Sequence, residues 1–528
     1  MPSLTIQCRY IAHSYTGVRQ DRSLRDEVDW PPAPARLHQA FIATTMANLP
    51  DSLRMAFAEK TLDALRWLET LPPPDVIASR LADDSDHRRV LKVAMPHNSP
   101  AKGDFARYHP DLAPVWRATP DHDGLLFAGY RWTDDAPQFS RDAELHLPAL
   151  REAAAKLRYM GRAEDRVECE VHWHADGNQQ PLSDSLEIWR PSAETEDVCL
   201  LTARPESTSE LMAEFQASAK GIARGAKRPA RLFLREQSYS RDAAEGLQPV
   251  HVAVFQILPD SGNPDELPVV CDATNAHRWR SPLRALACKI AQEPDRWNNP
   301  DLAAELISGH APGGGHTQQP HLAFVPLPSL SSSGKADGRV RRFALLGFAE
   351  SGKESEAASI YRTLAAALDG EEIEPGYRLQ LIADPFHYDK VWRLYTRSSR
   401  CWVSVTPTVI DRGFKVPTRA PDGTPLCSNE RHLRRLAEWT QLVRTSLRHI
   451  RLPDDLVSAC KITLTPSPLL YATERAERYR PPGESAVFTH ARLEFAKPVR
   501  GPLIVGDRRY QGLGLFVPAL DDCVGATK

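Results

Sequence analysis

The stretch HVAVFQIL, residues 251–258, is an apolar run of strand length, and the order of the segments after it decides the fold. Two segments of helical periodicity come next, SPLRALACKIA (281–291) and PDLAAELIS (300–308). A second apolar run, HLAFVPL (321–327), precedes a third, RVRRFALLGF (339–348). The helical segment ESEAASIYRTLAAAL (354–368) then leads to CWVSVTPTVI (401–410). Taking these as strands and helices in turn gives β-α-β-β-α-β, the ferredoxin-like order, with CWVSVTPTVI as its last strand.

Working outward, the N-terminal half repeats a related theme. LTIQCRYI (4–11) alternates as a half-buried strand does. Pro31, Pro32 and Pro34 pre-set a helix start, after which Leu37, Ala40, Phe41 and Thr44 recur at helical spacing. LLFAGYRW (125–132) reads as a strand, LPALREAAAKLRYMGR (147–162) as a helix stopped by Gly161, and RVECEVHW (166–173) as a strand. Residues 176–250 are less regular and contain Lys220, Arg224, Lys227, Arg228, Arg231 and Arg235. They read as a linker or insertion with a basic face. Beyond 410, a long amphipathic helix (432–451) and two strand-like runs, FTHARLEFA and LGLFVP, close the chain.

Bulk composition narrows the function classes. A chain of 528 residues exceeds one core and implies two or three domains. Its 66 basic and 68 acidic residues leave a formal charge of −2, so any nucleic-acid surface must be local. Nine cysteines without a CxxC pair speak against a zinc ribbon or a disulfide framework. No apolar stretch has membrane-spanning length and the N-terminus has no signal-peptide pattern, so a soluble, cytoplasmic protein is expected. Walker A, GxSxG and HExxH patterns are absent.

Three stretches carry chemistry. VRGPLIVGDRRYQGLGLFVP (499–518) places Arg500, Arg508 and Arg509 among Gly501, Gly506, Gly512 and Gly514, with Tyr510 between. Such a loop suits a phosphate chain, its arginines the anion and its tyrosine a stacked base; a tight hairpin with solvated arginines fits the pattern equally. SGHAPGGGHTQQPHLAFVPLP (308–328) sets His310, His316 and His321 within twelve residues. Spacing alone favours a loop with surface histidines; a metal site lacks a nearby Cys or acid pair, and acid–base catalysis is the third reading. Finally, NERHLRRLAEWTQLVRTSLRHIR (429–451) puts Arg444, Arg448 and Arg451 at i, i+4 and i+7 of a helix, with Arg431, Arg434 and Arg435 earlier. A basic helical face is commonly just solvated, and is also what an RNA groove requires. His172 and His174 share one side of a strand without a third ligand, so no metal site is expected there.

Together, VDWPPAPARLHQAFIA (28–43), YMGRAEDRV (159–167), ISGHAPGGGHTQQPHLAFVPLP with KADGRVRRFALLG, WVSVTPTVIDR (402–412) and the 499–518 segment resemble one family in order and spacing. It is the fused subunit of type I-G (formerly I-U) CRISPR effector complexes, within the repeat-associated RNA-binding superfamily. The resemblance spans nearly the whole chain and is weakest over residues 175–250. It implies an α+β chain of tandem ferredoxin-like, RNA-recognition-type domains. Residues 1–175 would cap the 5′ handle of the guide RNA, and residues 251–528 would be the endoribonuclease that processes the CRISPR precursor in its repeat.

The implied chemistry uses no metal and no cofactor. The ribose 2′-OH attacks the adjacent phosphate, leaving a 2′,3′-cyclic phosphate and a 5′-OH. The resemblance points to His310 first, following the AAELIS helix, then His321, then His316. It assigns the 499–518 glycine-rich loop to the RNA backbone. Implied partners are the repeat and guide RNAs and the backbone and large subunits of the effector complex, with no membrane. The competing expectations are a non-catalytic RNA-binding scaffold and an unrelated metal-dependent nuclease.

Overall fold

The computed structural model describes the chain outside residues 12–14, 16–29, 48–50, 82–90, 93–94, 97–107, 110–113, 116–125, 161–164, 176–184, 193–196, 214–233, 261–266, 312–314, 316, 318, 331–335, 383–389, 411–426, 482 and 520–528. Helix and strand are mixed throughout, in two compact units, Met1–Asp242 and Ala243–Lys528.

The first unit runs β1 (Ser3–Tyr10), α1 (Pro34–Ala47), α2 (Asp51–Thr70), β2 (Asp75–Ser79), β3 (Leu126–Thr133), α3 (Pro137–Lys156) and β4 (Val167–His174). Three further strands, β5 (Leu186–Pro191), β6 (Val198–Ala203) and β7 (Leu234–Arg241), complete a seven-stranded antiparallel sheet in the order β6-β7-β5-β2-β3-β1-β4. Alternation explains its sidedness: Leu4, Ile6, Cys8 and Tyr10 of β1 are fully buried. They join Leu37 and Phe41 of α1, Leu65 of α2, and Leu150 and Ala153 of α3 in one core.

Two sequence expectations shift here. Helix α3 starts ten residues earlier than the 147–162 segment and ends at Lys156, because Pro137 opens it and Leu157 turns extended. The described parts of residues 176–250 are not an open linker: they supply β5, β6 and β7 to the sheet. The basic run Lys220–Arg231 lies outside the described residues.

The second unit begins with β8 (His251–Pro259), a short β9 (Cys271–Asp272), α4 (His277–Ala291) and α5 (Pro300–Ser308). Then come β10 (Ala323–Leu330), β11 (Ala336–Gly347), α6 (Glu354–Leu368), β12 (Glu372–Glu374) and β13 (Tyr377–Leu381). Strand β11 pairs with both β10 and β8, and β8 pairs with β13, all antiparallel. The strand closing this pattern is therefore YRLQL, not CWVSVTPTVI. The latter divides into β14 (Ser398–Ser404), after helix α7 (Lys390–Thr396), and β15 (Thr408–Ile410), both in another sheet.

That sheet has the order β15-β17-β14-β18, with β16 also on β17. Its members β16 (Lys461–Thr465), β17 (Val487–Arg500) and β18 (Phe516–Pro518) come after α8 (Ser428–His449) and α9 (Asp454–Ala459). β17 pairs with three strands, and Trp402 of β14 is fully buried opposite Leu493 of β17 and Pro518 of β18.

One buried polar cluster fastens the first unit. The Glu69 carboxylate accepts from Thr208 N–H and Thr208 Oγ1, and meets His38 Nε2 at 3.1 Å; all three residues are buried. Removing the carboxylate leaves two donors buried without it. Glu69→Ala is expected to cost about 3 kcal/mol and lower the melting temperature. Unchanged melting would contradict this role.

Candidate active site

Helix α5 is fixed at both ends. Asn299 caps it by accepting from Leu302 N–H at 3.3 Å, and Gly309 ends it in the left-handed region at φ 77°. Its C-terminal turn therefore delivers His310 at a defined point. Ser308 Oγ accepts the His310 N–H at 3.1 Å and donates to Ala304 O at 2.6 Å. The loop beyond folds back: Thr317 N–H reaches Gly309 O (3.0 Å), Thr317 Oγ1 reaches Glu305 (2.5 Å), and Leu322 N–H reaches Leu306 O (2.9 Å).

This return places His321 against the end of α5. A Cβ at Gly309 would stand 2.7 Å from His321 Nε2, so glycine is required there by space as well as by φ. The imidazole stacks on Tyr510 with ring centroids 3.7 Å apart at 29°. His321 Nδ1 lies 3.0 Å from Gln319 O. A carbonyl only accepts, so Nδ1 carries the proton and Nε2 is left as an acceptor. Burial drives the His321 pKa down to about 4, helped by Arg509, Arg284 and His310 and opposed by the Gln319 carbonyl. At neutral pH the ring is uncharged.

Guanidinium groups surround this pair. Arg284 of α4 donates to Ser308 O at 3.0 Å, and Arg280, one turn earlier, donates to Gln511 O at 2.6 Å. Burial lowers the Arg280 pKa to about 10, with further contributions from Arg284 and Arg508. Arg509 lies over the Tyr510 ring at 4.7 Å. Arg508 pairs with Glu484 at 3.3 Å. Like charges brought this close oppose one another until an anion joins them. Sequence reading passed over Arg280 and Arg284, although their spacing of four on one helix was a usable signal.

Other expected residues fall elsewhere. His316 lies outside the described residues. His310 is exposed at the α5 end, close enough to His321 to depress its protonation. The glycines of the 499–518 loop serve packing rather than an anion cradle. Gly506 N–H goes to Ser446 Oγ (2.7 Å), Gly512 N–H to Arg509 O (3.0 Å), and Gly514 N–H to Pro407 O (2.8 Å). At Gly514 a Cβ would meet Val505 O at 1.8 Å. The loop instead presents the side chains of Arg508, Arg509 and Tyr510.

The basic face on α8 is also different from the sequence reading. The helix ends at His449, so Arg451 lies beyond it at φ 60°. Arg444 donates to Cys460 O (3.3 Å), Arg448 to Asp454 (2.9 Å) and Arg451 to Ser351 Oγ (3.4 Å). These contacts hold the helix to its own unit. Arg500 is buried and pairs with Glu245 at 3.2 Å. Among the described residues no cluster of three metal-ligating side chains occurs, and no helix is long and apolar enough to cross a membrane.

Comparison with known proteins gives the site its context. The chain belongs to the CRISPR-associated protein, GSU0054 family, matching it over residues 13–99 and 149–518. The second span includes His310, His321 and the whole 499–518 loop. Among solved structures it resembles Thermus thermophilus Cas6 (TTHB231) at 17% identity and a TM-score of 0.23, covering 51% of this chain and 97% of that one. No curated protein matches the sequence.

The stacking geometry has a measurable consequence. Tyr510→Ala uncovers His321, and restored hydration favours its charged form. Its pKa, tracked by NMR of the imidazole resonances, is expected to rise from about 4 toward the ordinary histidine value. A His321 pKa unmoved by this substitution would show that the stack does not set it.

Proposed function

We propose that this chain is a CRISPR RNA-processing subunit of a type I-G effector complex, cutting the precursor in its repeat by metal-independent attack of a ribose 2′-OH. The observation that carries the reading is His321 within electrostatic reach of His310, Arg284 and Arg509, with Arg280 beside Arg284, in a chain of a CRISPR-associated family. A phosphodiester is the anion that gathers such guanidiniums, and they in turn offset charge on a phosphorane.

The histidines divide the proton work. Neutral His321, with Nε2 unprotonated, suits removal of the 2′ proton. A bound phosphate moves its pKa upward from about 4 and makes it a stronger base. To His310, exposed at the helix end, we assign protonation of the leaving 5′ oxygen. His316 stays a third candidate, and Arg508 and Arg509 hold the strand with Tyr510 beneath.

Strand order supports ferredoxin-like domains in both units. In the first, β1–β4 stand as β2-β3-β1-β4; in the second, the equivalent order is β10-β11-β8-β13. To the first unit we assign capping of the guide's 5′ handle. Product release would leave the chain on the mature guide, among the backbone and large subunits.

The decisive assay incubates the purified protein with repeat RNA in EDTA. A single cut is expected, and His310→Ala or His321→Ala is expected to slow it about 10²–10⁴-fold with little loss of affinity. Activity that vanishes in EDTA would point to a metal-dependent nuclease, and binding without any cut to an RNA-binding scaffold.

Phosphate contact is tested separately. Arg508→Ala with Arg509→Ala should weaken RNA binding and flatten its salt dependence by about 0.7 in log–log slope per lost contact. An unchanged slope would mean these arginines serve only the protein's own loop.

A further inference from the structure

Helix α8 is packed at one end only. Val443, Ser446 and Leu447 of its C-terminal part are buried. Every residue from Ser428 to Arg435 is exposed, so the first two turns, about 12 Å of helix, stand clear of the fold on all sides. A helix end without packing frays unless something else keeps it. Here a capping box does so. Cys427 Sγ accepts the Glu430 N–H at 3.4 Å, and the Glu430 carboxylate accepts the Cys427 N–H at 2.7 Å.

Three arginines lie on this projection: Arg431, Arg434 and Arg435. At helical spacing Arg431 falls between the other two, so the three share about 100° of the helix surface. Leu433 and Leu436 fall on the opposite side, in line with the buried Val443 and Leu447. The arginine face is therefore turned away from the side by which the helix packs. Among the described residues none of the three guanidiniums has an ion pair or hydrogen bond, whereas Arg444, Arg448 and Arg451 are all engaged by their own unit. Glu430, the one acid of the projection, is turned to the cap; hydrogen bonding to Cys427 and, more weakly, Arg434 hold it below the ordinary carboxylate pKa. Unengaged guanidinium forks on display suit an anion that arrives from outside. A single strand is taken up by a groove with aromatic platforms, which a convex projection without Phe, Tyr or Trp does not offer. A duplex presents phosphates on both sides of a groove, against which a lone helix can lie.

We propose that the projecting end of α8 grips the phosphates of a base-paired segment of the bound RNA through Arg431, Arg434 and Arg435. The contact is to the backbone, so it positions the RNA without reading its sequence. This assignment rests on the RNA-processing reading and adds to it a duplex-holding surface, built from residues that the His321 site does not use.

The test uses full-length protein with two probes, a short blunt RNA duplex of arbitrary sequence and one of its strands alone, each titrated at several salt concentrations. Combining Arg431→Gln, Arg434→Gln and Arg435→Gln removes the charge and keeps helix-favouring side chains. Duplex binding is expected to weaken about tenfold or more, with a log–log salt slope flatter by about 0.9 per lost contact. The single strand is expected to lose much less. Lys at the same three positions keeps the charge and should retain most of the slope, and Leu433→Ser should leave duplex binding as it is. Melting is checked to confirm that each variant is folded. The assignment is overturned if the wild type does not bind the duplex, if the Gln variant binds it with unchanged affinity and slope, or if the single strand loses as much as the duplex. It is also overturned if Leu433→Ser costs as much as the three Gln substitutions, which would mark a face for a protein partner instead. Repeat-RNA cutting by the wild type in EDTA is read in parallel. Cutting, with a slope that the Gln variant leaves unchanged, removes the duplex assignment alone. A flattened slope without cutting supports the duplex surface and removes the cleavage reading.

Discussion

The stack of His321 on Tyr510 is the contact on which the candidate site depends. His321 enters from the start of β10, and Tyr510 from the loop between β17 and β18, about 190 residues later. Neither ring is placed by its own sequence neighbourhood. Gly309 opens the space for the imidazole, Gln319 O orients it, and Gly512 lets the loop approach closely enough for the tyrosine to reach it. A Cβ at Gly512 would stand 2.3 Å from Pro326 Cδ, so this approach needs a residue without one. The two sheets of the second unit are thereby tied at the place where chemistry is expected.

Electrostatics derive from that packing. Covering the imidazole removes water from it, and burial is the largest cause of its lowered pKa. The same covering brings Arg509 and Arg284 near, and each disfavours a second positive charge. An uncharged histidine beside several guanidiniums is the state that the proposed cleavage would use as charge builds on the phosphorane. Arg280 stays cationic there, because a pKa of about 10 leaves it protonated at neutral pH.

Much of the architecture was legible in the sequence, for physical reasons that vary by element. HVAVFQIL and RVRRFALLGF carry enough buried apolar side chains to declare themselves as strands. YRLQL does not: its central Leu379 is its one fully buried residue, and pairing with β8 rather than its own hydrophobicity makes it a strand. The same holds for β7, LREQSYSR, which depends on β6 and β5 for its ladder. The histidine loop and the Arg508–Tyr510 segment were visible as motifs. Their convergence was not, since no spacing rule links residue 321 to residue 510. Conversely, the glycines there looked like a phosphate cradle because composition cannot reveal that their N–H groups are already used. Arg451 looked like part of a helical face because the helix end at His449 is set by packing of Ile450 and Leu452 into the core.

The most direct measurement is the chemistry of the cut itself. Repeat RNA bearing a single 2′-deoxyribose at the cleaved nucleotide is incubated with the protein in EDTA, beside the all-ribose strand. The account predicts that the all-ribose strand yields a 2′,3′-cyclic phosphate and a 5′-OH, and that the deoxy strand binds equally but stays whole. Cleavage of the deoxy strand at the same position would contradict it, because the attacking oxygen would then come from elsewhere.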